Sequence, residues 1–431
     1  MKKIIAMLMV LAMVLSLVAC GGSGEGPTAP PVATEAPAAD ANAGGDAAAG
    51  PFDARNDGVF RIGIYNYLAG LALGAEEDIA FEIALEKYGD GKTVNGEPVE
   101  FVVYDTLNDP SEAIVGVQYL IGQNCDAVLG SFQSADVVGC YPYLEDAKVF
   151  NMFAGTSGSI VTPDQVYSFR GAFNANKTAK SYAQAIKDFG YQNVAVFFGQ
   201  DEASMSNWND ACKGAFQEAG LTIVAEETGT HNDTDYSAQC MKIVAAKPDV
   251  VYVVCSGAGM NFVKQLREYG YNGIVMNKDE WMTSHVDSIG EANSNYIMSM
   301  VSYTTYKSLD AAKASGASAN VIEFLEAYAA KSGGAMPTLG ITYRMYDSML
   351  IVLEAAKRAG CNYDSDKLAE ACLTINDLQG CMGTVDFTQG DREPANEFQA
   401  VIYCDGGSKS VEIWEEAGGY EAFLAATGRE K

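Results

Sequence analysis

Three short stretches carry residue types that could do chemistry. In "LGSFQS" (129–134) an apolar run stops at Gly130, and Ser131, Gln133 and Ser134 follow just ahead of a helical pattern. "NMFAGTSGS" (151–159) repeats the arrangement, with Ala154, Thr156 and further small residues after an apolar run. A helix N-terminus offers unpaired N–H groups and a partial positive charge, so amides plus a hydroxyl can hold a carboxylate with no Arg or Lys. The third stretch is of opposite sign: "MNKDEW" (276–281) sets Asp279 and Glu280 just after an apolar strand, and carboxylates there suit a cation. A lone Ser or Thr at such a place only caps its helix, and paired acids on a loop are mostly solvated. The combination, on separate strand ends, is what suggests a binding site.

Catalytic chemistry finds no support. His231 and His285 are the two histidines, and neither has a partner at metal-ligand spacing, so no metal is expected. "GTSGS" and "CSGAG" both miss the GxSxG elbow, and "SGAGMNF" lacks the third glycine of a dinucleotide loop. Neither an enzyme nor a cofactor is expected. Asp105 in "VVYDTLNDP" reads as an organiser of its strand–helix loop. Of the ten cysteines, Cys20 has a separate explanation given below, and the other nine show neither CxxC nor Cys/His spacing. Buried thiols are expected for residues such as Cys255 after "DVVYVV"; a Cys372–Cys381 bridge is the alternative for that pair. Nine free thiols would fit an anaerobic or reducing niche.

The elements that must position these residues alternate regularly. Strands at "FRIGIYN", "VEFVVYD", "DAVLG" and "KVFNMF" are separated by helices over 75–88, from Asp109 through "PSEAIVGVQYLIG", and over 135–147. Asp109 as N-cap, Pro110 at the first helical position and Glu112 two residues later give a well-signalled start. A second run begins near 175, with helices over 176–189, 205–219, 236–246 and 259–269 between "NVAVFFG", "LTIVAEE", "DVVYVVC" and "GIVMN". Repeated βαβ implies an α/β protein of two doubly wound parallel-sheet lobes. Two long helices (317–332 and 338–358) follow, then β-rich "GTVDF", "FQAVIYC" and "SVEIW", which return to complete the two lobes.

At 431 residues there is room for two cores, and a net charge of −28 argues against nucleic acid and anionic membrane surfaces as partners. Lys2 and Lys3 precede an apolar run from Ile4 to Val18 that reads as a secretory signal. "LVAC" resembles the lipobox of bacterial lipoproteins, which implies that residues 1–20 are a lipoprotein signal segment whose last residue, Cys20, is lipidated and becomes the mature N-terminus. Residues 21–57, rich in Ala, Gly and Pro, read as a disordered linker able to hold the folded part roughly 30–40 Å from the anchor.

In order and spacing, "RIGIYNYLAGLALGAEEDIAFEIALE", "VVYDTLNDPSEAI", "DAVLGSFQSADVVGCYPYLEDAKVFNMFAGTSGSI", "YSFRGAF", "KPDVVYVVCSGAG", "QLREYGYNGIVMNKDEW" and "GTVDFTQGD" resemble the type I periplasmic binding proteins, in the leucine/isoleucine/valine-binding branch that serves ABC importers. The resemblance covers nearly all of 59–420. It implies two lobes, 58–172 plus 302–362 and 173–301 plus 363–425, hinged by crossovers near 172, 301 and 362. Ligand-carboxylate positions of the family fall on Ser134, Ala154 and Thr156. Glu280 matches the acid that pairs with a ligand ammonium, with Asp279 as the alternative by one residue. Leu73 stands where relatives often carry an aromatic over the ligand, and Tyr67 is a substitute ring. Ser204 and Ser256 replace second-lobe positions where rings or an aromatic–glycine pair occur, departures that point away from a simple branched-chain pocket. The implied partners are a small zwitterion and a membrane permease with its ATPase; a sensor that presents ligand to a membrane receptor is the alternative.

Overall fold

The computed structural model describes residues 52–429, apart from 70–72, 90, 201–202, 231–232, 256–257, 302–304, 390 and 396–397. Cys20, His231 and Ser256 lie outside the described residues, as do residues 1–51.

The first half alternates strands and helices: β1 (Phe60–Asn66), α1 (Leu73–Tyr88), β2 (Thr93–Val94), β3 (Glu97–Asp105), α2 (Pro110–Gly122), β4 (Ala127–Gly130), α3 (Ser134–Asp146), β5 (Phe150–Phe153) and β6 (Ser168–Arg170). The second half continues with α4 (Ala175–Asp188), β7 (Asn193–Gly199), α5 (Ala203–Glu218), β8 (Thr222–Gly229), α6 (Ser237–Ala245), β9 (Val250–Val254), α7 (Ala258–Glu268), β10 (Ile274–Asn277), two short helices α8 (Thr283–Ile289) and α9 (Glu291–Ser294), and β11 (Ile297–Val301). One sheet runs β2-β3-β1-β4-β5-β6; β3-β1-β4-β5-β6 is parallel throughout. The other contains β11-β10-β9-β7-β8, again parallel and in the same order. Both are doubly wound, and their strand order reverses at β1/β4 and at β7/β9, where such sheets open a crevice at their carboxyl ends.

Local signals explain the boundaries. Asp109 accepts from Ser111 N and Pro110 opens α2. Asp105 accepts from Leu68 N and Ala69 N at 3.1 Å and from Leu107 N at 3.0 Å, which ties down the β1–α1 loop as expected. The inner strands are buried on both faces, β4, β5, β9 and β10 without exception, as parallel sheets under helices require, while β3 and β8 nearer the edges are partly exposed.

The C-terminal third departs from expectation. It contains α10 (Leu309–Ala314), α11 (Ala319–Ser332), α12 (Gly340–Ala359), α13 (Ser365–Cys372), a hairpin of β12 (Leu378–Gly380) and β13 (Gly383–Val385), β14 (Gln399–Cys404), β15 (Gly407–Ser410), α14 (Val411–Glu416) and α15 (Gly419–Thr427). The expected crossover near 362 is corrected. Ser365 Oγ accepts from Phe150 N, Tyr167 Oη donates to Asp366, and buried Asp347 on α12 accepts from Cys381 N and Met382 N, both at 2.7 Å. Residues 363–385 are therefore held by the first lobe, and the chain returns to the second only before β14, which pairs antiparallel with β11. The second crossover also comes later than 301, because Ser315 O still accepts from Ser410 N in the second lobe. "SVEIW" is not a strand: Ser410 caps α14 by accepting from Ile413 N.

The first and third crossovers are knotted together by charge. Fully buried Arg170 donates to Glu393 at 3.1 Å, and Glu393 also takes two bonds from Asn174 and an ion pair from Lys177 at 3.0 Å. The nine cysteines from Cys125 to Cys404 form no disulfide, Cys372 and Cys381 included, and burial pushes most of their thiols upward. Among the described residues no helix is long and apolar enough to cross a membrane, and no His/Cys/Asp/Glu cluster is spaced to hold a metal.

Candidate functional site

A cleft of about 700 Å³ opens between the carboxyl ends of the two sheets, within the range of small-molecule sites. Its first-lobe wall is the start of α3 and the loop after β5: Phe132, Gln133, Ser134, Thr156, Ser157 and Ser159. Met205, Asn207 and Trp208 of α5, with Lys278 and Asp279 after β10, form the second wall, and Ile341 and Arg344 of α12 reach in between.

The first wall is built by backbone bonding. Gly130 ends β4 against the Tyr65 ring, too close for any Cβ. Ser131 O accepts from Ala154 N, and Ser134 Oγ accepts from Ser157 N at 3.2 Å, so the two loops are laced together. Arg170 donates to the carbonyls of Gly155 and Ser157, and Thr156 O accepts from Ala175 N at 2.9 Å. These bonds use main-chain groups of the 154–157 loop and leave the Thr156 side chain on the cleft wall. A hydroxyl that accepts one bond still has its proton to donate, so Ser134 can serve a ligand carboxylate from where it stands.

Charge dominates the second wall. The Lys278 ammonium meets the Asp279 carboxylate and lies 6.0 Å from the Trp208 ring centre. Burial would raise the Asp279 carboxyl, but Lys278 holds it below the usual carboxylate range. Glu280 is buried and faces a smaller chamber of about 210 Å³, lined also by Trp281, His285, Met260 and Leu339, which adjoins the cleft through Asp279, Ile341 and Arg344. Gly340, the first residue of α12, lies so close to Glu280 Oε1 that a Cβ would collide with it. Burial pushes the Glu280 carboxyl up while the Arg344 guanidinium opposes that shift. Its Oε2 has no hydrogen-bond partner among the described residues. His285 is pushed down to about 4 by burial and is neutral at ordinary pH.

Of the expected residues, the cleft brings together Ser134, Thr156 and Asp279. Glu280 stands one chamber away. Ala154 is fully buried behind the wall, and its amide is spent on Ser131 O. Leu73 is likewise buried, at the start of α1, and donates to Leu68 O; neither it nor half-buried Tyr67 lines the cleft. The backbone of Ser204 lies in the first turn of α5. Trp208, Lys278 and Arg344 were missed. An arginine inside the apolar pattern of "GITYRMYDSMLIVL" was a visible signal, since a buried cation on a core helix needs a reason.

Residues 59–407 match the family described as periplasmic binding protein. The chain is 23% identical over 350 residues to Leu/Ile/Val-binding protein homolog 3 of Brucella melitensis, covering 80% of this chain and 91% of that one. Among solved structures it resembles the branched-chain amino acid transporter substrate binding protein of Streptococcus pneumoniae in complex with isoleucine (21% identity, TM-score 0.69, 82% of this chain and 99% of that one). A solute binding protein of an ABC transporter from R. palustris in complex with benzoate is as similar in fold (16% identity, TM-score 0.68, 82% and 95%). With two lobes of one topology facing each other across a ligand-sized cleft, the chain belongs to the periplasmic binding protein family, as a solute-binding protein and not an enzyme.

Proposed function

We propose that the chain is the extracytoplasmic solute-binding component of an ABC importer, tethered through Cys20, and that it delivers an amino acid or related small carboxylate to a membrane permease. The observation that carries this reading is the convergence of strand-end loops from both sheets on one cleft, with Ser134 and Thr156 on one side and Lys278 and Asp279 on the other. Ser134 and Thr156 grip the ligand carboxylate; Asp279 and Glu280 set the charge of the opposite side. Ligand that touches both walls favours the closed form in proportion to its preference for that form, and the closed form is what a permease recognises. The names of the relatives from Brucella and Streptococcus support the solute class, and the benzoate complex supports widening it beyond amino acids.

A thermal-shift screen of amino acids, organic acids, amides and short peptides tests the proposal. A true ligand at ~100 times its Kd adds about 2.7 kcal/mol of stability. Absence of any stabiliser across all four classes overturns it.

A further inference from the structure

Both carboxylates that could meet a ligand ammonium already face a cation of the protein. Asp279 is engaged by Lys278, whose own side chain is buried against Trp208. Glu280 lies against the first residue of α12, and Arg344, one helical turn further along the same face, reaches the chamber that Glu280 lines. Arg344 and Lys278 also line the cleft itself, while Asp279 is the acid there among the described residues. Arg344 is held in place from behind by the ring of Phe173, 5.4 Å from its guanidinium carbon, on the first crossover.

We infer that the ligand is a carboxylate without an α-ammonium group, an organic acid rather than an amino acid, with Arg344 occupying the electrostatic place that a ligand ammonium would take beside Glu280. The inference rests on the proposed ligand role of this cleft and narrows its solute. An ammonium entering the cleft would be a third cation beside Arg344 and Lys278, and the acid it would meet there, Asp279, is already engaged by Lys278. The Oε2 of Glu280, unpartnered among the described residues, lies in the adjoining chamber that Arg344 also lines. A carboxylate instead meets a cleft lined by two cations and one acid, in addition to the Ser134 and Thr156 hydroxyls. The apolar remainder, Phe132, Val138, Met205, Trp208 and Ile341, suits an aliphatic or aromatic body.

The test is calorimetric titration of the detergent-solubilised full chain with two matched pairs: 4-methylpentanoate against leucine, and 3-phenylpropanoate against phenylalanine. At least one acid is expected to bind roughly tenfold or more tighter than its amino-acid partner. Equal affinity within each pair, or preference for the amino acids, overturns the inference and leaves the proposed function standing. Silence from all four probes also overturns it, and the wider screen then decides whether the proposed function falls too. Arg344→Leu releases Glu280 to a ligand ammonium, so the ratio of acid to amino-acid affinity should drop at least about tenfold, while Arg344→Lys preserves it. If Arg344→Leu does not fold, Lys278→Gln gives an independent reading through weakened acid binding; unchanged acid binding there counts against the inference.

Discussion

The two sheets share one strand order, yet the crevices at their reversal points are built from opposite chemistry. At β1/β4, Asn66 donates to buried Glu77 at 2.7 Å and accepts from Tyr67 N at 3.1 Å and Phe132 N at 3.4 Å. Ser131 Oγ next to it donates to Asp136 at 2.8 Å and accepts from Gln133 N at 2.9 Å. At β7/β9 the corresponding space is aromatic: Phe197 and Phe262 stack with centroids 3.7 Å apart, and Tyr236 meets both rings edge-on. Hydrogen bonds fix direction, so the first lobe aims its loop donors from beneath. Ring packing fixes position without direction, so the second lobe supplies a firm platform and leaves polarity to Lys278 and Asp279 at its rim. Identical topology therefore does not imply an identical share of ligand recognition.

Removing one device from each lobe breaks the symmetry of that comparison most sharply. Phe262→Ala empties a stacked core position and should cost about 3–5 kcal/mol of stability by chemical denaturation, with ligand affinity of the folded fraction unchanged. Asn66→Ala should cost about 2–3 kcal/mol, because it strands the Glu77 carboxyl and the Phe132 amide. Unlike the first variant it should also weaken ligand, since the amides of 131–134 lose their brace. Equal loss of affinity in both variants would erase the distinction between an aiming lobe and a platform lobe.

Titration sharpens it next. Burial pushes Glu77 up to about 8, from an ordinary 4.5. Between those values the folded chain keeps a proton that the unfolded chain has released, so raising pH withdraws stability across that window. Asp126 and Asp347, each pushed up to about 7 chiefly by burial, act with the same sign. Glu77→Gln retains an acceptor for Asn66 and removes the largest of these titrations. Its stability should fall less steeply between pH 5 and 8, ending on the order of a couple of kcal/mol above the parent at the upper limit, as read from urea midpoints. A parallel pair of pH profiles would place the Glu77 proton outside folding.

The aiming network also marks the limit of what the residues alone disclose. Helices over 75–88, 176–189, 205–219 and 338–358 were legible to within two residues at each end, because apolar period and caps are local properties. So were the strand ends bearing Ser134, Thr156 and Asp279. Glu280 was legible as an acid after a strand but not as the neighbour of Gly340 and Arg344, which lie sixty residues on and arrive through the second crossover. The true extent of the first lobe was hidden for the same reason: Asp347 meets the amides of Cys381 and Met382 only after α12 is laid along the sheet. "SVEIW" alternates like a strand, and only the capping bond from Ser410 decides for a helix.

The smallest effect separates recognition from construction within one loop. Thr156 contributes to the fold through its carbonyl, which accepts from Ala175 N, while the neighbouring carbonyls of Gly155 and Ser157 are held by Arg170. Its side chain, on the cleft wall, is half-buried and carries none of those bonds. Thr156→Ala should therefore leave the denaturation midpoint within experimental error. It should weaken ligand about tenfold, the ~1.4 kcal/mol of one hydrogen bond to a carboxylate. Thr156→Ser, which keeps the hydroxyl, should recover most of that affinity in the same titration. If Thr156→Ala instead lowers stability and affinity together, the hydroxyl is part of the wall's scaffold, and the carboxylate must be gripped by Ser134 and the cations opposite.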